Sequence, residues 1–99
     1  MLSMADEVVR QEEERVIRDT IQGYPCPKSI EDIEIAFGED HSGYPAVWVR
    51  FVIPGTMAVE GPEWDSAYAF VNEIDRVLSE NRLSHWPYVG FQVRQRNSA

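Results

Sequence analysis

Asp32-Ile33-Glu34-Ile35-Ala36-Phe37-Gly38-Glu39-Asp40-His41-Ser42-Gly43-Tyr44-Pro45-Ala46-Val47-Trp48-Val49-Arg50-Phe51-Val52-Ile53 reads as two strands joined by a turn. Within the expected strand 31–37, the run Asp32–Phe37 alternates, so Ile33, Ile35 and Phe37 face a core. Residues 46–53 repeat the pattern with Val47, Val49, Phe51 and Ile53 inward. Between them, glycine, proline, aspartate and serine concentrate where a chain reverses. The pattern predicts an antiparallel hairpin with a long loop.

Outward from the hairpin, residues 62–81 carry the clearest helical period, with Ala67, Phe70, Val71, Ile74, Val77 and Leu78 on one stripe. Pro62 suits the first helical position, and Glu63 and Asp65 suit the positive end of the helix dipole. Residues 5–22 form a second, weaker helix in which Val9, Val16, Ile17 and Ile21 share a face and Gly23 ends the last turn. Its run Glu12-Glu13-Glu14 reads as a solvated face or as a docking patch for a basic partner. Residues 88–94 give a third strand with Val89, Phe91 and Val93 inward, followed by a polar tail at 95–99. The expected domain is α+β, a two-layer α-β-β-α-β sandwich spanning 1–99. Both helices cover one face of a three-stranded sheet of order 2-1-3.

Charge and cysteine content narrow the function. Of the net −8, residues 1–45 account for −7, with 4 basic and 11 acidic side chains. Such a field opposes nucleic acid and anionic membranes, whose binding rests on lysine and arginine, and favours a basic protein partner. Cys26, the one cysteine, forms no internal disulfide and no zinc cluster. Pinned in Tyr24-Pro25-Cys26-Pro27-Lys28, it is expected to be a small packed side chain. Residues 1–6 lack a signal peptide's basic and apolar blocks, and no apolar run is long enough to span a bilayer. A cytoplasmic protein is expected.

With the inward face assigned to the core, the other face holds the candidate site. It presents Asp32, Glu34 and Ala36, then Ala46, Trp48, Arg50 and Val52, then Tyr88, Gly90, Gln92 and Arg94. Tryptophan, tyrosine and arginine are the types enriched at binding hot spots. Trp48, Arg50, Tyr88, Glu34 and Arg94 are therefore the candidate interface. The competing reading covers Trp48 with the chain's own tail or stacks it on Arg50. Glu39-Asp40-His41 reads as a turn whose oxygens cap backbone N–H groups, since two groups fall short of a metal ligand set. In His85-Trp86-Pro87 the tryptophan, an aromatic before a proline that enters a strand, is expected to anchor the core edge, and no partner for a catalytic His85 can be named. No phosphate loop, nucleophile elbow or zinc-helix motif occurs, so no catalytic residue, metal or cofactor is assigned.

The run from Asp32 to Asp40, the Gly43-Tyr44-Pro45-Ala46 turn, the Val47-Trp48-Val49 strand and Trp86-Pro87-Tyr88-Val89 together resemble a group of small uncharacterised bacterial proteins. The resemblance covers about residues 30–94. That group is associated with neighbours of the HEPN type, small helical proteins that include ribonuclease toxins. The resemblance implies an antitoxin-like or accessory role. The chain lacks the Gly-Ser pair and paired aspartates of the minimal nucleotidyltransferases that accompany such toxins, so it is not one of those.

Three functions are expected in turn. The first is a non-enzymatic interaction domain binding a protein partner through the Trp48/Arg50/Tyr88 face. The second is a small enzyme or ligand-binding domain using the Glu39–His41 loop with His85. The third is a self-associating module, since a three-stranded sheet exposes two strand edges.

Overall fold

A computed structural model describes residues 4–57 and 60–94. Its elements are α1 (Met4–Gln22), β1 (Asp32–Glu39), β2 (Pro45–Pro54), α2 (Pro62–Glu80) and β3 (Trp86–Arg94). The expected α+β fold, α-β-β-α-β with a three-stranded sheet, is what the chain adopts. The polar tail expected at 95–99 lies outside the described residues.

α2 forms as its sequence dictates. Pro62 occupies its first turn after Gly61, whose φ of 95° suits glycine alone at low cost, and Glu63 and Asp65 face the dipole's positive end. At the far end the Asn81 N–H donates to the Leu78 carbonyl and the helix stops. Its stripe of Ala67, Phe70, Val71, Ile74 and Leu78 is buried, while Val77 is half-buried. α1 contributes less: Ile17 and Ile21 are buried, Val16 is half-buried, and Val8 and Val9 are exposed.

β1 and β2 pair antiparallel with Ile35 opposite Val49, and β2 and β3 pair parallel with Val49 opposite Val89. The sheet order is β1-β2-β3, which corrects the expected 2-1-3. β2 takes the centre because it is apolar on both faces: Ala46 and Val52, of outward parity, are buried along with Val47, Val49, Phe51 and Ile53. β1 carries Asp32, Glu34 and Glu39, which suit a solvated edge. β3 includes Pro87, which has no N–H to donate and is tolerated at an edge.

Both helices meet the same face of the sheet. Ile17, Ile21, Phe70, Val71, Ile74 and Leu78 close over Val47, Val49 and Phe51, with Ile33, Ile35, Phe37, Val89 and Phe91 packed around them. The Phe70 ring stands edge-on to Phe51 at 5.3 Å. The shortest dimension, 23 Å, is that of one helix layer on one sheet. Val93, expected inward, is exposed, one strand period beyond the Phe91 ring on which Trp64 packs at 5.0 Å. Among the described residues, no helix is long and apolar enough to cross a membrane.

Candidate functional site

The sheet face turned away from the helices carries Trp48, Arg50, Tyr88 and Glu34 by strand parity, and the register sets them side by side. Trp48 stands opposite Tyr88 on β3 and Ala36 on β1, and Arg50 stands opposite Glu34 and Gly90. The indole of Trp48 and the ring of Tyr88 are stacked, 5.9 Å apart and 18° from parallel. Neither ring system stacks on Arg50 among the described residues, so the tryptophan's neighbour is aromatic. Gly38 makes room for it: a Cβ there would lie 3.2 Å from the indole. Trp48 is consequently half-buried by its own sheet. Arg50 and Glu34 are exposed, and Arg94 reaches Glu31 at 3.4 Å. Covering by the tail at 95–99 falls outside the described residues.

At one end of this face the turn after β1 has a defined build. Asp40 Oδ1 accepts the N–H groups of Ser42 and Tyr44, and Gly43, at φ 84°, closes the reversal with its N–H on the Asp40 carbonyl. Asp40 Oδ2 accepts the Tyr88 hydroxyl at 3.0 Å. Desolvation alone would raise the Asp40 pKa, but the Tyr44 N–H, the Tyr88 hydroxyl and the Ser42 N–H outweigh it and hold it below its usual value. The same bond, helped by desolvation, raises the Tyr88 phenol. The turn thus locks Tyr88, which locks Trp48.

Around this lock lie exposed aromatic rings. Tyr44 is 68% exposed, Trp86 55% and Tyr88 39%. With Asp40, Pro45, Leu83 and Ser84 they line a shallow cleft of about 440 Å³. Trp86 therefore corrects the expectation that it anchors the core edge. It shares parity with Tyr88 and points outward, and the residues buried there are His85 and Pro87.

His85 has the partner that the sequence did not name. Glu13 is only 8% exposed and His85 9%. Glu13 Oε1 lies 2.8 Å from the His85 Nδ1, and its Oε2 accepts the Ser84 N–H at 2.6 Å. The Phe37 ring meets the imidazole edge-on at 5.0 Å. Burial pushes the Glu13 pKa up, but the hydrogen bonds from His85 and Ser84 prevail and leave it below 4.5. Glu12 and Glu14 instead pair on the surface with Arg15 and Arg18, as the solvated reading expects. Glu39 and His85 line a common cleft of about 360 Å³ together with Val9, Arg10, Gly38, Pro45 and Ser84. His41 is not part of it.

A third depression, about 850 Å³, runs between residues 24–29 and α2. Cys26 lines it and is exposed, correcting its expected packed role, and desolvation raises its thiol pKa away from reactivity. Ser29 Oγ is buried nearby without a hydrogen-bond partner. Among the described residues no three histidine, cysteine, aspartate or glutamate side chains converge on a metal-sized site.

No protein-family model, no curated protein and no solved structure matches this chain.

Proposed function

We propose that this chain is a non-enzymatic interaction domain that binds a protein partner through the sheet face left uncovered by its helices. One observation carries the reading: three aromatic rings, Tyr44, Trp86 and Tyr88, stay exposed side by side next to the Trp48 stack. Exposed aromatic clusters rimmed by polar groups mark binding surfaces. Such rings supply large contact area at low conformational cost, and tryptophan, tyrosine and arginine dominate measured hot spots. Arg50 and Glu34 form the polar flank. The resemblance of residues 30–94 favours an antitoxin-like or accessory role with a HEPN-type partner, and the acidic N-terminal half favours a basic one.

Trp86→Ala is the cleanest variant, because Trp86 supports nothing in the core. It is expected to change unfolding stability by less than about 0.5 kcal/mol. Partner binding or self-association is expected to weaken by about 2 kcal/mol or more. Trp48→Ala should weaken binding as well, with an added loss of stability from the broken stack of about 0.5–1.5 kcal/mol. Denaturant melts set beside affinity capture and sedimentation of wild type and variants measure both. Full binding by Trp86→Ala and Trp48→Ala removes this face from the function.

The rival reading, a small enzyme or ligand-binding domain, draws on Glu39 and His85 sharing a cleft. With Nδ1 taken by Glu13, Nε2 is the ring nitrogen left for a ligand. A small molecule that moves the His85 ring resonances, and loses its effect in Glu39→Gln, would support it.

A further inference from the structure

The uncovered face does more than offer apolar area, and its chemistry specifies an occupant. We infer that the cleft between the β1–β2 turn and the start of β3 receives an arginine side chain from a basic segment of a protein partner. This inference rests on the interaction reading above and names the partner's chemistry.

Tyr44, Trp86 and Tyr88 line the cleft, and all three rings keep a large part of their surface in solvent. Aromatic faces carry negative potential and attract cations, arginine above all, because its planar guanidinium also stacks. Asp40 is the one charged side chain among the lining residues. It is held ionised, since three hydrogen-bond donors keep its pKa low. Those donors, the N–H groups of Ser42 and Tyr44 on Oδ1 and the Tyr88 hydroxyl on Oδ2, leave one Oδ2 lone pair free for a guanidinium. Glu39 adjoins it in sequence, and the first 45 residues carry −7 of the net charge. An anion is opposed by the two carboxylates and by the negative ring faces. A second copy of this chain brings the same negative field and is opposed in the same way.

The rigidity of the site also matters. Asp40 fixes Tyr88, Tyr88 stacks on Trp48, and Trp48 lies over Gly38. A pre-formed aromatic wall saves the ordering cost that weak cation sites otherwise carry.

The test uses the intact chain labelled with nitrogen-15, in which Trp48, Trp64 and Trp86 report separately through their indole N–H signals. The probes are two blocked pentapeptides, one alternating glycine with arginine and one alternating glycine with glutamine. The arginine peptide is expected to move the Trp86 signal saturably and to leave Trp64 unmoved. The glutamine peptide is expected to produce little shift. Asp40→Asn keeps an oxygen for the turn's N–H groups and removes the charge. It should weaken the arginine peptide about two- to fivefold, the factor that an exposed cation–π or charge contact supplies. Tyr44→Ala and Trp86→Ala, neither of which is core, should each do the same, with Trp86→Ala read from the backbone amide signals of Tyr44 and Tyr88 because its indole is gone. Equal shifts from both peptides would overturn the arginine assignment while leaving the interaction reading intact. A silent Trp86 signal, or an affinity unchanged in Asp40→Asn, Tyr44→Ala and Trp86→Ala, would overturn it too. Failure of the interaction reading shows instead as unchanged capture and sedimentation in Trp48→Ala and Trp86→Ala.

Discussion

Glu13 shows how one residue can be misread and why. In the run Glu12-Glu13-Glu14 the three side chains are chemically identical, and only helical phase distinguishes them. Glu13 stands four residues before Ile17 and eight before Ile21, on the stripe that packs inward, whereas its neighbours face solvent. The signal was present in the spacing. Its partner was not legible, because His85 lies 72 residues away and only the fold brings them together. The carboxylate takes the Ser84 N–H and the His85 ring and backbone, fastening α1 to the entry of β3. Removing it leaves the His85 ring and N–H buried and unpaired, so Glu13→Ala is expected to cost about 1–3 kcal/mol in a urea titration. The pH dependence has a definite sign. The folded-state pKa of Glu13 is lowered from 4.5, so its stabilisation is fully present above that value and is lost as pH falls through the folded pKa. The stability gap between wild type and Glu13→Gln should therefore narrow between pH 7 and pH 3. A gap that stays constant would mean that the ionised carboxylate contributes nothing.

Elements were more legible than single residues because periodicity averages over many positions. α2 begins at Pro62 as expected and ends at Glu80, one residue short of the expected 81. β1 runs on to Glu39, since Gly38 and Glu39 keep pairing with Ala46 and Pro45, and β3 begins at Trp86. The early start of β3 reassigns Trp86. Counting by twos from Tyr88 places Trp86 on the outer face, whereas the expectation of a core anchor began the strand at Tyr88 and read Trp86 as the aromatic entering it. Sheet order was not legible, since alternation says which side faces inward but not which strand lies in the middle. The buried Ala46 and Val52 carried that information as an apolar run on both faces of β2. The core assignment of α2 has a direct check. Ile74 is fully buried, so Ile74→Ala loses its transfer energy and leaves a cavity, together about 2–5 kcal/mol. A denaturant midpoint shift corresponding to less than about 1 kcal/mol would show that the helix does not close on the sheet as described.

On the scale of the whole molecule, the proposed interaction divides the work of binding between two sets of groups, charged and aromatic. The helices and one sheet face take most of the large aliphatic residues, leaving the other face with aromatic rings set among Glu34, Asp40 and Arg50. That the open face would be aromatic was legible from Trp48 and Tyr88. That its most exposed rings are Tyr44 and Trp86 depended on where the turn and β3 begin. The net −8 acts over distances of roughly a Debye length, about 8–10 Å near physiological salt, and on the proposed reading this field steers a basic partner before contact. The rings act only once the surfaces touch. Charge and ring variants should consequently fail in different kinetic phases. Glu34 is exposed on the open face, so Glu34→Lys reverses charge beside the site without disturbing the core. For a basic partner it should slow association several-fold at low salt and leave dissociation nearly unchanged, and added salt should erase the deficit. Trp86→Ala should instead speed dissociation, with the salt dependence of association preserved, because most of an anchor's contribution is lost after the complex forms. Surface-immobilised partner or arginine peptide, measured at two ionic strengths, separates the two rates. If Glu34→Lys acts on dissociation, or Trp86→Ala acts only on association, then steering and anchoring are not divided between acid and aromatic groups on this face.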